Sequence, residues 1–505
     1  MKTLRLAVAL GLVTMMAGTT IANGATPVPA VDLTAAATLA TVMPRSDLAN
    51  ESIYFVMPDR YANATAANDE GSGASYGGLD YTNTGRFHGG DLRGLKDNLQ
   101  RIQDMGFTAL WIAPVVLQKA VQGGSSAYHG YWGLDFTTVD PHFGTEADFT
   151  NLVNAAHDRD MKIYLDIVIN HTADVISYTE GTQFVSSSQR YKDAGGTIFN
   201  IANVAGLARC SALGELNCFP LMNSASFPKT VVANELATKQ PAFLQDPNNY
   251  HNRGNVGDWG SDDQSRNGDF SGLDDLMTEN PEVIEGMAEI WANWVIDFGV
   301  DGFRIDTAKH VDKNFFSRWT PLVYEKVRDA GKDVPEMFGE IYSGDLSMLS
   351  QNVRDLGLQS VLDFPMNDAV SAFAAGDGAD TTKLAYTFNW DDYYSSGSRI
   401  GAEISNSYSL VTFAGNHDEG RIGTKIWGNR SSISSAALAQ RINFAYGMLF
   451  TMRGAPVLYY GDEVGMLGNG GDKAARQDMF PTDVQEWRNE ARAGSAPIGT
   501  GDSLA

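Results

Sequence analysis

The sequence predicts an α/β protein: a closed (β/α)8 barrel of the TIM type, with an inserted domain after its third strand. Three observations lead there. Eight short, β-rich apolar runs alternate with amphipathic stretches along the chain, the pattern of repeated strand–helix units around a parallel sheet. One interval between consecutive runs exceeds 130 residues, far more than a strand–helix unit needs. Acids stand at the carboxyl ends of several runs, where such a barrel gathers its functional side chains.

The strands are expected at Ile53–Met57, Thr108–Ile112, Lys162–Ile169, Gly302–Ile305, Met337–Gly339, Ser360–Leu362, Leu410–Phe413 and Pro456–Tyr460. Helical periodicity falls between them, at Leu92–Met105, Phe149–Arg159, Val283–Phe298 and Ser434–Met452. The barrel is therefore expected over 51–171 and 273–480. The stretch 172–272, rich in Asn, Ser, Gly and Asp, reads as the inserted domain over the barrel mouth. The first loop, Pro58–Asp91, is also long and polar. No internal repeat is visible.

Before the barrel, Lys2 and Arg5 precede an apolar run from Leu6 to Ala17, with small residues around Ala22 and Ala25. This is the layout of a signal peptide, expected over 1–25 and followed by a linker, 26–50. A retained N-terminal anchor is the alternative reading. The apolar run is short for a membrane span, so secretion, extracellular or periplasmic, is expected. At the other end, 481–505 reads as a truncated Gly/Ser/Ala-rich tail with a weak or missing last barrel helix.

Acidic residues outnumber basic ones, 61 to 37, for a net charge of −24. Such a surface repels nucleic acid and anionic membranes and suits a neutral substrate. A monomer is expected. The two cysteines, Cys210 and Cys218, lie close together in the insert. In an exported chain they are expected to form a disulfide, and two cysteines alone make no zinc site.

Four strand ends carry chemistry. The third continues Asp166-Ile-Val-Ile-Asn170-His171, and the fourth Gly302-Phe-Arg304-Ile-Asp306-Thr-Ala-Lys309-His310. The fifth continues Phe338-Gly-Glu340-Ile-Tyr342, and the seventh Phe413-Ala-Gly-Asn416-His417-Asp418. One such segment could be a solvated turn, but four in order around one barrel mouth are a site. Paired carboxylates are what glycosidic cleavage needs, one at the anomeric carbon and one to protonate the leaving oxygen. Arg304 is two residues before Asp306, hence on the same strand face, and can pair with its charge.

These segments resemble, in order, the signature regions of the α-amylase family of glycoside hydrolases. Further matches are Gly106-Phe-Thr-Ala-Leu-Trp-Ile-Ala-Pro114, Tyr128-His-Gly-Tyr-Trp132 followed by Asp135, Gly272-Leu-Asp-Asp-Leu276 and Pro456-Val-Leu-Tyr-Tyr-Gly-Asp-Glu463. The resemblance runs from about Ile53 to Glu463. It implies a retaining hydrolase of α-1,4-glucosidic bonds in starch, glycogen or maltooligosaccharides. Asp306 would be the nucleophile, Glu340 the acid/base and Asp418 the transition-state stabiliser. His129, His171 and His417 match histidines that bind the sugar at the cleavage point, and Tyr131 matches the ring beneath it. Lys309 and His310 resemble a pair common in α-1,4-acting members.

The resemblance also implies calcium, which takes oxygen ligands. Asn170, Asp275 and the carbonyl of His310 match a site joining insert to barrel, with a further ligand expected from the insert. Asn63, Asn68, Asp69, the carbonyl of Gly89, and Asp91 resemble a second site. Thr65 stands where those relatives place an amide ligand, and a turn-rich loop explains the same residues. The C-terminal β-sandwich usual in the family is expected to be absent. Alternative functions are transglycosylation, cyclodextrin or α-1,6 cleavage, or glucan binding by a catalytically impaired homologue.

Overall fold

The computed structural model describes residues 48–376, 381–395, 406–468 and 470–497; the expected signal peptide lies outside them, as does all but the end of the linker. Eight strands form one sheet: β1 (Ile53–Val56), β2 (Ala109–Ile112), β3 (Lys162–Val168), β4 (Gly302–Asp306), β5 (Glu336–Gly339), β6 (Ser360–Val361), β7 (Val411–Phe413) and β8 (Ala455–Tyr459). Their order is β6-β5-β4-β3-β2-β1-β8-β7, and every pairing is parallel. A parallel bridge from Leu362 to Val411 joins the two ends and closes the barrel. Strands β1, β2 and β8 are buried at every position, as continuous apolar runs become when both sheet faces are covered.

Helices α1 (Leu92–Asp97), α2 (Leu99–Asp104), α3 (Glu146–His157), α4 (Pro281–Phe298), α5 (Phe315–Asp329), α6 (Leu346–Arg354), α7 (Phe364–Ala375), α8 (Ile422–Asn429) and α9 (Ser435–Thr451) lie between these strands. The ends follow local chemistry. Thr145 and Asp148 form a reciprocal capping box at α3. At α4, Asn280 caps the start, Pro281 follows it, and Gly299 ends the helix at φ 76°. The single helix expected over Leu92–Met105 is instead two. The Asn98 side chain donates to the Gly94 carbonyl at 2.8 Å, and such side-chain bonding competes with a continuous helix.

The insert after β3 has little regular structure. A two-residue antiparallel pairing joins Ser177–Tyr178 to Val231–Val232. Tyr191, Phe219 and Met222 form a small core there with Met277, and the disulfide Cys210–Cys218 is present. Beyond β8 the chain packs back on the barrel. Met479 donates to the Arg60 carbonyl at 2.7 Å, and buried Trp487 lies against His88 and the Arg60 guanidinium. Among the described residues no helix is long and apolar enough to cross a membrane.

Candidate active site

The alternation of β4 puts Arg304 and Asp306 on the inner face of the barrel. Arg304 is fully buried and meets three acids. Its Nη1 donates to Asp306 Oδ1 at 2.7 Å and to Asp166 Oδ1 at 2.8 Å. Its Nη2 lies 2.9 Å from Glu340 Oε1, at the end of β5. Glu340 Oε2 accepts the Thr307 amide at 3.1 Å. Thr307 has φ 46°, a costly conformation for a β-branched residue. One guanidinium and one strained turn thus fix Asp306 and Glu340 side by side.

Asp418, after β7, completes the group. Its Oδ1 accepts from Arg476 Nη2 at 2.8 Å, and its Oδ2 lies 3.1 Å from His417 Nε2. Arg476 also donates to the His417 carbonyl and the Tyr128 hydroxyl. Tyr131 donates to Asp166 Oδ2 at 2.9 Å, its hydroxyl lies 2.9 Å from His417 Nε2, and its ring runs roughly parallel to those of His129 and His417. Gly130 permits this placement. Its φ is 85° and a Cβ there would run into the Pro114 carbonyl.

The electrostatics separate the acids. Burial pushes Glu340 up, to about 8, with Asp306 and Asp418 adding to the effect against the pull of Arg304. Burial also opposes the charge of Asp418, but His417, Arg476 and Arg304 outweigh it and hold that carboxyl below its ordinary value. Two neighbouring acids with opposed shifts can divide proton donation from charge stabilisation. Burial lowers His171 to about 4 and His417 to about 3, and His129 is also lowered. All three rings are therefore neutral at pH 7, and both ring nitrogens of His171 are buried without a protein partner.

These groups line one cleft of about 710 Å3. Asp306, Glu340, Asp418, His129, Tyr131, His171, Lys309, His310 and His417 all face it. Arg304 lies beneath. Lys309 reaches across its rim, donating to the Tyr342 carbonyl at 3.0 Å. The cleft contains residues the sequence reading did not single out. Arg476 and Asp472 come from a Gly/Ala-rich stretch without periodicity, while Asp166, which opens the third-strand segment, lies buried beneath the cleft and anchors both Arg304 and Tyr131. Trp259 and Phe270 come from the insert, their rings 4.6 Å apart.

The expected first calcium ligands meet: Asn170 Nδ2 donates to Asp275 Oδ1 at 3.1 Å. Around them the buried acids Asp269, Asp274, Asp275 and Glu279 face the cations Lys239 and His251. Burial pushes Asp269 to about 8 and Asp275 to about 7. An excess of acid in a dry place suits a dication. Buried Asp269, within 3.3 Å of the Asp275 amide, is the candidate for the missing ligand from the insert. His310 Nδ1 lies 2.7 Å from the Ser265 carbonyl, and the oxygen that His310 could offer a calcium ion is that of its backbone.

The second set fits less well. Asn63 donates to Asp69 at 2.9 Å, and Gly89 is pressed against both side chains. However, Asp91 caps α1 through the Gly94 amide at 2.6 Å and also accepts from Thr65 and Ala64. Asn68 Oδ1 is the one oxygen among these side chains that is buried without a partner.

Comparison with known proteins agrees with this geometry. Residues 55–495 match the family described as "Alpha amylase, catalytic domain". An α-amylase of Streptomyces lividans is 41% identical over 470 residues, covering 91% of this chain and 49% of its own. A cyclomaltodextrin glucanotransferase of Klebsiella oxytoca is 29% identical, covering 83% and 58%. The chain therefore spans about half the length of the curated relatives it matches. The crystal structure of an α-amylase from Geobacillus thermoleovorans, complexed with acarbose, superposes with a TM-score of 0.61 at 28% identity, covering 86% of this chain and 75% of that one. The chain belongs to the α-amylase catalytic-domain family of glycoside hydrolases.

Proposed function

We propose that this protein is a secreted, retaining α-glucan hydrolase that cleaves α-1,4 bonds in starch-like chains. The observation that carries the reading is the single guanidinium of Arg304, shared by Asp306 and by a Glu340 that burial keeps protonated at neutral pH. Carboxyls sharing one fork suit direct attack, whereas inverting enzymes hold theirs roughly 6.5–9.5 Å apart to admit a water. Asp306 attacks the anomeric carbon as Glu340 passes its proton to the leaving oxygen. The bond to that oxygen breaks and a glucosyl-aspartate ester forms. Glu340, now a carboxylate, takes a proton from water, which attacks the same carbon and returns Asp306. Asp418 and its Arg476 partner hold the sugar through its hydroxyls, and Tyr131 offers a flat apolar face.

Calcium would be held by Asn170, Asp275, Asp269 and the His310 carbonyl. It would tie the insert to the barrel and neutralise the buried acids. Export is supported by the leader-like first residues and by the disulfide. The likeness to cyclomaltodextrin glucanotransferases supports a second reading, in which a sugar hydroxyl replaces water in the second step. Reducing-sugar release from soluble starch, with calcium, tests the first. The parent is expected to be active and Asp306→Asn inert, and a folded parent inert on starch, pullulan and cyclodextrin would overturn the proposal. Chromatography of products from maltooligosaccharides separates hydrolysis from transfer.

A further inference from the structure

Glu419, immediately after Asp418, is a second acid beside an already acidic cleft, which it touches through Tyr342. A like charge there is unfavourable unless it has work to do. Its partners indicate what that is. Oε1 accepts from the Tyr342 hydroxyl at 2.6 Å, Oε2 lies 3.4 Å from Lys425 Nζ, and its amide donates to Asn416 Oδ1 at 2.7 Å. Lys425 in turn reaches Asn367 Oδ1 at 3.3 Å, and the Asn367 amide donates to the Phe413 carbonyl at the end of β7. The Tyr342 ring is 54% exposed, lines the cleft, and packs edge-on against Phe364 with ring centres 4.9 Å apart. Its carbonyl holds Lys309. Tyr342 follows Glu340 by two residues, so the bond from Glu419 ties the loop of the general acid to the loop of Asp418.

We propose that Glu419 is a positioning residue that fixes the Tyr342 ring as a platform for the leaving-group side of the glucan. This rests on the glucan-hydrolase reading. The general acid must face the leaving oxygen, so the ring just beyond it faces the sugars that depart. A glucosyl unit there packs its apolar face on the ring, and a ring already held in place costs less to order on binding. Lys425, 3.4 Å from Oε2, offsets the charge of Glu419.

The test compares Glu419→Ala, Glu419→Gln, Tyr342→Phe and the double variant Glu419→Ala/Tyr342→Phe on two substrates. Maltoheptaose has a leaving group that reaches Tyr342, and α-maltosyl fluoride loses only fluoride. In Glu419→Ala and in Tyr342→Phe, KM for maltoheptaose is expected to rise roughly five- to tenfold, about 1 kcal/mol of binding. Parameters for the fluoride stay within about twofold of the parent. The double variant is no worse than either single one, as for residues acting through one bond. Glu419→Gln, whose amide oxygen still accepts from Tyr342, recovers most of the loss. Equal losses on both substrates, additive effects, or no loss on maltoheptaose would overturn the inference. A parent inert on both substrates would remove the hydrolase reading and this inference with it.

Discussion

Arg304→Lys tests the electrostatic design of the site most sharply. The guanidinium touches Asp306 at 2.7 Å, Asp166 at 2.8 Å and Glu340 at 2.9 Å. An ammonium keeps the charge but is a compact point without the planar fork, and cannot serve three carboxylates in that geometry. Each charge-assisted bond lost is worth roughly 1.5–3 kcal/mol, so losing one or two predicts a fall in kcat/KM of about 10–10⁴. The sign of the pH effect is also fixed. Arg304 lowers the Glu340 carboxyl against burial, so weakening that contact raises it further. A unit charge at about 4 Å and an effective dielectric near 20 is worth about 4 kcal/mol, or some three pKa units. Losing a third of it moves the basic limb of the rate profile up by about one unit. The assay is kcat/KM on maltoheptaose from pH 4 to 10, with circular dichroism to confirm folding. A folded variant with near-parental kcat/KM and an unmoved basic limb would refute the reasoning.

Other outcomes follow from the same structure. In the parent, activity is expected to fall as pH rises through about 8, where Glu340 loses its proton, and a plateau to pH 10 on maltoheptaose would contradict this. Thr307→Gly relieves the left-handed strain at φ 46° and is expected to raise stability by about 1 kcal/mol in thermal unfolding, while kcat falls severalfold as Asp306 loosens. Calcium removal by EDTA is expected to lower the thermal midpoint and speed proteolysis within 172–272, with recovery on adding calcium. Asp275→Asn should abolish that recovery without changing the parental response to pH above 8.

Much of this was legible from the residues because barrel strands are short, apolar and bounded by turns. Each expected strand agrees with the structure to within a residue or so at either end, and the acids at the ends of β4, β5 and β7 converge as their spacing implied. What escaped had no local signal. Arg476 reaches Asp418 across 58 positions from a stretch of Gly, Asp and Ala, and only the fold brings them together. Asp166 stood out as the acid of the third-strand segment, but its partners Arg304, Trp111 and Tyr131 come from three other segments, and only the fold shows what it holds. The break at Asn98 depends on one side-chain hydrogen bond inside an otherwise periodic helix. Trp259 and Phe270 belong to an insert whose irregular backbone carries no periodicity to read.

A retaining mechanism at this site requires a covalent bond at Asp306. Incubating the Glu340→Gln variant with 5-fluoro-α-glucosyl or 5-fluoro-α-maltosyl fluoride supplies a leaving group that needs no acid and slows release of the glycosyl-enzyme. Intact-mass and peptide mass spectrometry then locate the adduct. One glycosyl unit per chain is expected on the peptide carrying Asp306, absent in Asp306→Asn. Turnover of the same fluoride with no adduct on that peptide, or an adduct on another carboxylate, would contradict it.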